Sequence, residues 1–185
     1  MTSSTQAAAW SWDDALVPRV AAGEDAAWRA FHRHYYPIAA AFLRKLGVHE
    51  ADMEDACQEV FLRTHRYLPS FRGEAQIKTW FYRLCATEAT RVRRRNGVAR
   101  SLFAALARHE TDAVVPAATR SDDSVLALVS QALGEMKDWE RLVFVLYEME
   151  GLAGKEIAEI AACPTATVWR RLHDARRTFR RVLDL

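Results

Sequence analysis

Near the end of the chain, Thr165, Thr167, Trp169, Arg170, Arg171 and His173 precede four further arginines, Arg176, Arg177, Arg180 and Arg181. Guanidinium groups have the fork of donors that fits a guanine edge or a phosphate, and a threonine can cap the exposed N–H groups that open a helix. Side chains in the first turns of such a helix would reach base edges, and the later arginines would follow the phosphate backbone. An amphipathic terminal helix with a solvated arginine face would give the same pattern. A second basic run, Arg91–Arg100, holds five arginines in ten positions. At about 100° per residue, Arg83, Thr87, Thr90 and Arg94 share one side of the helix that carries it, with Lys78, Tyr82 and Arg93 on the next. Basic residues interleaved with Tyr and Trp suit phosphates and stacked, unpaired bases. Glu88, Arg91 and Arg95 fall on the nominally apolar side, so either the helix outruns its core or Glu88 pairs with Arg91 at i+3.

Other chemistry is poorly represented. The sequence has no phosphate-cradling glycine loop, Gly-x-Ser-x-Gly elbow or His-Glu-x-x-His. His32 and His34 diverge by about 200° on a helix and cannot share a ligand. Cys57, Cys85 and Cys163 are odd in number and widely spaced, which argues against a disulfide framework or a structural zinc and for small buried residues. No catalytic residues, metal or cofactor are therefore expected. The net charge is only +2, from 26 Lys and Arg against 24 Asp and Glu, so basic character resides in the two runs rather than in the whole protein. No apolar stretch has membrane-spanning length and the start lacks a signal-peptide pattern, so a reduced, cytoplasmic protein is expected.

The elements that must carry these residues read as helical almost throughout. Glycine and proline are scarce, at 7 and 5, and no run alternates apolar and polar residues for long. Residues 1–12 read as a disordered N-terminus. A first block, 13–97, opens with a stripe of Trp28, Phe31, Tyr35, Ile38, Phe42 and Leu46, with a kink or two abutting helices expected at Pro37 and a C-cap at Gly47. A second helix is expected after Asp52 as N-cap, with Met53, Ala56, Cys57, Val60 and Thr64 inward. Its outer face carries Asp55, Gln58, Glu59, Leu62 and Arg63, and a leucine among acids suits protein docking. A third helix runs from about Glu74 past Val92, with Ile77, Trp80, Phe81, Leu84, Cys85 and Val92 toward the core. Residues 98–124 lose the pattern and read as a linker, with a possible short helix at Leu102–Arg108. The second block, 125–185, carries Leu128, Val129, Ala132 and Leu133, then a helix capped by Asp138 and stopped at Gly151. A short helix, 154–161, then breaks at Ala162-Cys163-Pro164-Thr165 before the basic helix. Two helices joined by so short a turn, the second basic, have the outline of a helix-turn-helix.

Two words of the sequence, EDACQEVFLRTHRYLPSFRGEAQIKTWFYRL and ERLVFVLYEMEGLAGKEIAEIAACPTATVWRRLHDAR, resemble the extracytoplasmic-function class of bacterial sigma factors of the sigma-70 family in content, order and spacing. The resemblance covers nearly the whole chain beyond residue 12. It implies an all-α fold of two small helical domains and a non-enzymatic factor that brings core RNA polymerase to promoters. Asp55, Gln58, Glu59, Phe61 and Leu62 would contact the polymerase β′ clamp. Phe71, Arg72, Gly73, Glu74, Lys78, Trp80, Tyr82, Arg83, Thr87 and Arg94 would read the −10 element, where a flipped base is captured. Lys155, Thr165, Thr167, Trp169, Arg170, Arg171, His173, Asp174 and Arg177 would read the −35 element, with the second domain resting on the β flap. The class is often restrained by an anti-sigma protein, so such a partner is implied; membrane insertion and an obligate homo-oligomer are not.

The chain departs from the family pattern at Thr87, where Asn is usual, at Ala153-Gly154, where a small polar cap is usual, and at Ala162, where a turn glycine is common. Trp169 and Asp174 stand where basic residues are frequent. These departures bear on promoter specificity. Two other readings stay open: a stand-alone helix-turn-helix regulator, which would need a dimer for a two-fold site, and a degenerate sigma-like protein that only binds another protein.

Overall fold

Apolar side chains recur every three or four positions, and in the computed structural model each such stretch is a helix. The structure describes residues 12–73, 76–106 and 123–184, all of them helix or short connection with no strand among them. The expected disordered start lies almost wholly outside these residues, as does most of the expected linker.

The first lobe contains α1 (Trp12–Ala21), α2 (Asp25–Lys45), α3 (Glu50–Tyr67) and α4 (Ile77–Leu106). Helix α2 buries Phe31, Tyr35, Ala39, Phe42 and Leu43, and α3 buries Met53, Ala56, Cys57, Val60 and Thr64 as their spacing predicts. Phe31 stacks on Tyr35 with ring centres 4.4 Å apart, and Phe81 of α4 meets both. Aromatic pairs of this kind add about 0.5–1.5 kcal/mol each beyond the area they bury.

Four sequence expectations change. At Pro37 there are not two abutting helices: α2 is one helix through the proline, which sits on the solvent face, where the carbonyl left without a donor can be hydrated. Asp52 is not the cap of α3; His49 holds that place, and Asp52 instead accepts from Arg95 at 2.6 Å and Asn96 at 2.8 Å on α4. Helix α4 runs past Gly97 to Leu106 instead of yielding to a linker at residue 98, since a helical glycine costs only about 1 kcal/mol and need not end a helix. Asp138 lies inside the first turn of its helix, which Lys137 precedes as N-cap. Gly47 does end α2: its φ of +83° lets the Val48 N–H reach back to the Leu43 carbonyl at 3.1 Å.

The second lobe contains α5 (Asp123–Glu135), α6 (Asp138–Phe144, extended by a π turn over Val145–Met149), α7 (Gly154–Ile160) and α8 (Thr165–Val182). Helix α8 lies on α5, α6 and α7, burying Val168, Leu172 and Ala175. Buried side chains of both lobes join in one continuous apolar cluster.

Candidate nucleic-acid interface

Helices α7 and α8 are joined by a tight turn in which Ala162 takes a φ of 47°. That left-handed position is where glycine is favoured, and alanine there costs roughly 1–2 kcal/mol. The turn holds nonetheless, because the Cys163 N–H bonds the Ala158 carbonyl at 3.1 Å and Pro164 fixes the entry to α8. The absence of a polar cap at Ala153 is compensated from within α7, where Glu156 accepts the Ala153 N–H at 2.8 Å.

With Val168 and Leu172 inward, α8 presents Trp169, Arg170, His173 and Arg177 to solvent, and Lys155 is exposed on α7. Thr165, Thr167, Arg171 and Asp174 are half-buried beside them. Asp174 pairs with Arg177 at 3.5 Å, which tempers its repulsion toward a phosphate. The guanidinium of Arg171 lies over the Trp139 ring at 6.0 Å and donates to the Cys163 sulfur at 3.4 Å, leaving that cysteine half-exposed rather than in the core. Arg176 and Arg181 bind Glu148 at 2.7 Å and Glu135 at 2.8 Å, so these two cations tie α8 to its own lobe before they serve any phosphate.

Trp169 has a specific seat. Its indole meets Tyr147 edge-on with centres 5.5 Å apart and lies over Gly154, where a Cβ would come within 2.6 Å of the ring. Glycine at 154 and tryptophan at 169 are therefore one packing unit. The ring remains 45% exposed, enough to offer a face to a sugar or a thymine methyl.

On the first lobe, Arg83, Thr87 and Arg94 are exposed along α4, and the Thr87 hydroxyl donates to the Arg83 carbonyl at 2.8 Å. Its proton is thereby engaged, and Thr87 faces outward as an acceptor. Phe71 and Trp80 are half-buried against each other at 5.6 Å, with Arg72 and Gly73 exposed nearby. Glu74 lies outside the described residues. Lys78 is exposed, 5.7 Å above the Tyr82 ring.

Tyr82 corrects the sequence reading. It is 1% exposed, not turned to solvent, and its hydroxyl donates to Glu150 of the second lobe. Burial raises its pKa, and the Glu150 carboxylate raises it further. Burial pushes the Glu150 carboxyl up, but hydrogen bonds from Lys45 and Tyr82 and the charges of Lys45 and Lys78 outweigh it and hold the carboxyl below its usual range. Glu88 resolves the other ambiguity on α4: fully buried, it pairs with Arg91 at 2.8 Å and with Arg63 at 3.6 Å.

On α3, Asp55, Gln58 and Leu62 are exposed and Glu59 pairs with Arg63 at 2.8 Å. Phe61 is buried, a second correction, because its ring closes the contact between α2 and α4 through Trp28, His32 and Phe81. Gln58, Phe61 and Leu62 line a groove with Trp28, His32 and Tyr36. Among the described residues no group of His, Cys, Asp and Glu could hold a metal, and no helix is long and apolar enough to cross a membrane.

The sequence reading did not find Lys45, Arg141 or Glu150, and it placed Arg93 on a face for nucleic acid, whereas Arg93 bonds the Leu46 carbonyl at 3.0 Å and pairs with Asp138. Arg141 is buried with its donors directed at the carbonyls of Leu133, Gly134, Met136 and Leu46, the last of these in the other lobe. No local pattern could have revealed these contacts, since Tyr82 and Glu150 are 68 positions apart.

Residues 31–98 match the family model of Sigma-70 region 2, and residues 126–179 match that of Sigma-70, region 4. The ECF RNA polymerase sigma-E factor of Haemophilus influenzae is 30% identical over 173 residues, spanning 89% of this chain and 91% of that protein. Its counterpart in Escherichia coli strain K12 is 28% identical over 89% and 90%. The fold is similar to CnrH in its complex with the cytosolic domain of CnrY (TM-score 0.71, 22% identity, 93% of this chain and 97% of that one). It is also similar to the sigma factor RpoE bound to the anti-sigma factor NepR from Bartonella quintana (TM-score 0.67, 18% identity, 85% and 96%).

Proposed function

Because the chain belongs to the sigma-70 family, with ECF sigma factors as its relatives, we propose that it binds core RNA polymerase and directs initiation at a particular set of promoters. In this reading the first lobe reads −10 DNA and the second reads −35 DNA. The observation that carries it is the exposed α8 face, where Arg170, His173 and Arg177 flank the seated Trp169 above a turn of helix-turn-helix form. Such a face suits the major groove.

The remaining roles follow from exposure and charge. Arg83, Thr87, Arg94, Trp80 and Arg72 would contact an opened −10 segment by stacking and phosphate pairing. Asp55, Gln58 and Leu62, beside the α2–α3 groove, would take the β′ clamp. The second lobe would rest on the β flap, and an anti-sigma protein would be a natural antagonist. The chain would act in the cytoplasm, without catalysis of its own.

Modest net charge predicts weak DNA binding by the chain alone, since affinity without polymerase would rest on few phosphate contacts. A gel shift on promoter duplexes, with and without core polymerase, tests the proposal. A specific shift that needs polymerase is expected. A tight, sequence-specific shift by the isolated chain would instead identify a stand-alone regulator.

A further inference from the structure

Among the arginines of α8, Arg171 is held in a way of its own. Arg176, Arg177 and Arg181 each pair with a carboxylate, of Glu148, Asp174 and Glu135 in turn, whereas Arg171 pairs with none among the described residues. Its guanidinium rests over the Trp139 ring at 6.0 Å and donates to the Cys163 sulfur at 3.4 Å. A ring face attracts a cation through its quadrupole, and a thiol sulfur is a weak acceptor, so neither neutralises the charge. This seat fixes where the guanidinium stands and leaves its charge to an anion.

Trp139 lies in the first turn of α6 and is 49% exposed, so its ring does more than fill a core. The Lys137 ammonium stands 5.8 Å from the same ring. Two cations are thus gathered on one aromatic side chain at the start of α6. Position decides what they face. Trp169 and Arg171, two residues apart on α8, diverge by about 200°. Trp169 packs on Tyr147 and Gly154, toward α7, and Arg171 leans the other way, on α6. Arg170, His173 and Arg177 point outward between them. A helix about 10–12 Å across fills a major groove about 12 Å wide, so its outer face meets base edges and its two flanks meet the sugar–phosphate walls.

We infer that Trp139 is a positioning residue of the −35 reader: with Cys163 it holds Arg171 against the sugar–phosphate wall on the side away from α7, so that Arg171 anchors a strand and does not read a base. The inference rests on the function proposed above and deepens it. Phosphate contacts set register and orientation without carrying sequence information directly. The anchor therefore governs how Arg170, His173 and Arg177 enter the groove, while the base preference remains theirs.

Promoter affinity of the full chain with core polymerase, measured on duplexes that differ by single base pairs in the −35 element, tests this assignment. Trp139→Ala frees an arginine that binding must then order, and should weaken affinity about two- to tenfold, by one factor on every duplex. Trp139→Phe keeps a ring face and should stay within about twofold of wild type, whereas Trp139→Leu, with bulk but no ring, should resemble Trp139→Ala. Arg171→Gln should lower the steepness of log affinity against log salt by about 0.9 and leave base preference unchanged. In that background Trp139→Ala should have no further effect. Far-UV circular dichroism should match wild type in every variant. Loss of discrimination at one base pair in Arg171→Gln, an unchanged salt slope, additive effects in the double variant, or rescue by leucine as good as by phenylalanine would each overturn the inference. Arginine side-chain NMR of the free chain tests the seat without DNA: the Arg171 Nε–H signal should move in Trp139→Ala and hold in Trp139→Phe, and a signal indifferent to both would also overturn the inference. If no form binds promoter DNA, the functional proposal fails, while the arginine signal still decides whether Trp139 holds Arg171.

Discussion

Substituting Gly154 by alanine should have opposite effects on stability depending on what occupies position 169. The added Cβ would lie 2.6, 3.1 and 3.3 Å from three carbons of the Trp169 ring. Comfortable carbon contacts begin near 3.5 Å, so ring or helix must shift by close to 1 Å. If the ring retreats, it loses the edge contact with Tyr147, a loss of about 0.5–1.5 kcal/mol in addition to its buried area. If it stays, overpacking costs about 1–3 kcal/mol. Alanine itself, at a glycine with ordinary negative φ, would otherwise stabilise by about 0.4–1 kcal/mol through the unfolded chain. Gly154→Ala should therefore destabilise the wild-type protein by roughly 0.5–2 kcal/mol, and stabilise the Trp169→Ala variant by up to about 1 kcal/mol. The assay is urea unfolding of the four proteins of the cycle, followed by far-UV circular dichroism. A coupling energy within about 0.3 kcal/mol of zero would show that the two residues are independent and refute the shared seat.

Three further outcomes follow from the structure. Ala162→Gly relieves a left-handed alanine and should raise stability by up to about 1 kcal/mol after the glycine's extra unfolded-state entropy is deducted; a lower urea midpoint would mean that the turn does not hold this conformation. Leu62→Asp, at a side chain 60% exposed, should leave the thermal melt within a few tenths of a kcal/mol of wild type while reducing polymerase capture; a collapsed melt would make Leu62 a core residue. Glu150 and Asp52 both have lowered pKa values in the folded chain, Asp52 through its bonds from Asn96 and then Arg95 against the opposing effect of burial. A carboxyl lowered on folding contributes stability that is complete above its unfolded pKa, near 4, and is lost as pH falls through the lower folded value. The urea midpoint should thus hold from pH 7 to about 5 and decline in acid, and Glu150→Gln with Asp52→Asn should flatten the decline; an equally steep decline in the double variant would assign it elsewhere.

Much of the architecture was legible because it depends on periodicity. The stripes on α2 and α3 and the turn before α8 follow from apolar spacing and breaker residues alone. What was not legible depends on partners far along the chain. Tyr82 has the spacing of an outward residue on α4, yet its ring packs on Phe42 of α2 with centres 4.6 Å apart and its hydroxyl meets Glu150 of the second lobe. Phe61 was named as a clamp contact only through the family resemblance, and it lies four positions after the inward Cys57, where α2 reaches over it with Trp28 and His32. Asp52 and Asp138 look like helix caps by residue type, but each has a guanidinium from α4 to answer, at 2.6 and 2.5 Å. Glu88 was legible as one of two alternatives, and its burial beside Arg91 and Arg63 decided between them. The Gly154–Trp169 unit was visible only as two separate oddities, because the contact spans the helix-turn-helix corner.

Run-off transcription by core polymerase, with and without the chain, over a library of promoter sequences and with mapping of the start sites, bears most directly on the central claim. Initiation that requires the chain and clusters on one paired −35 and −10 sequence is the predicted result. If the chain binds polymerase yet no template yields a chain-dependent start, promoter guidance by these two lobes is contradicted.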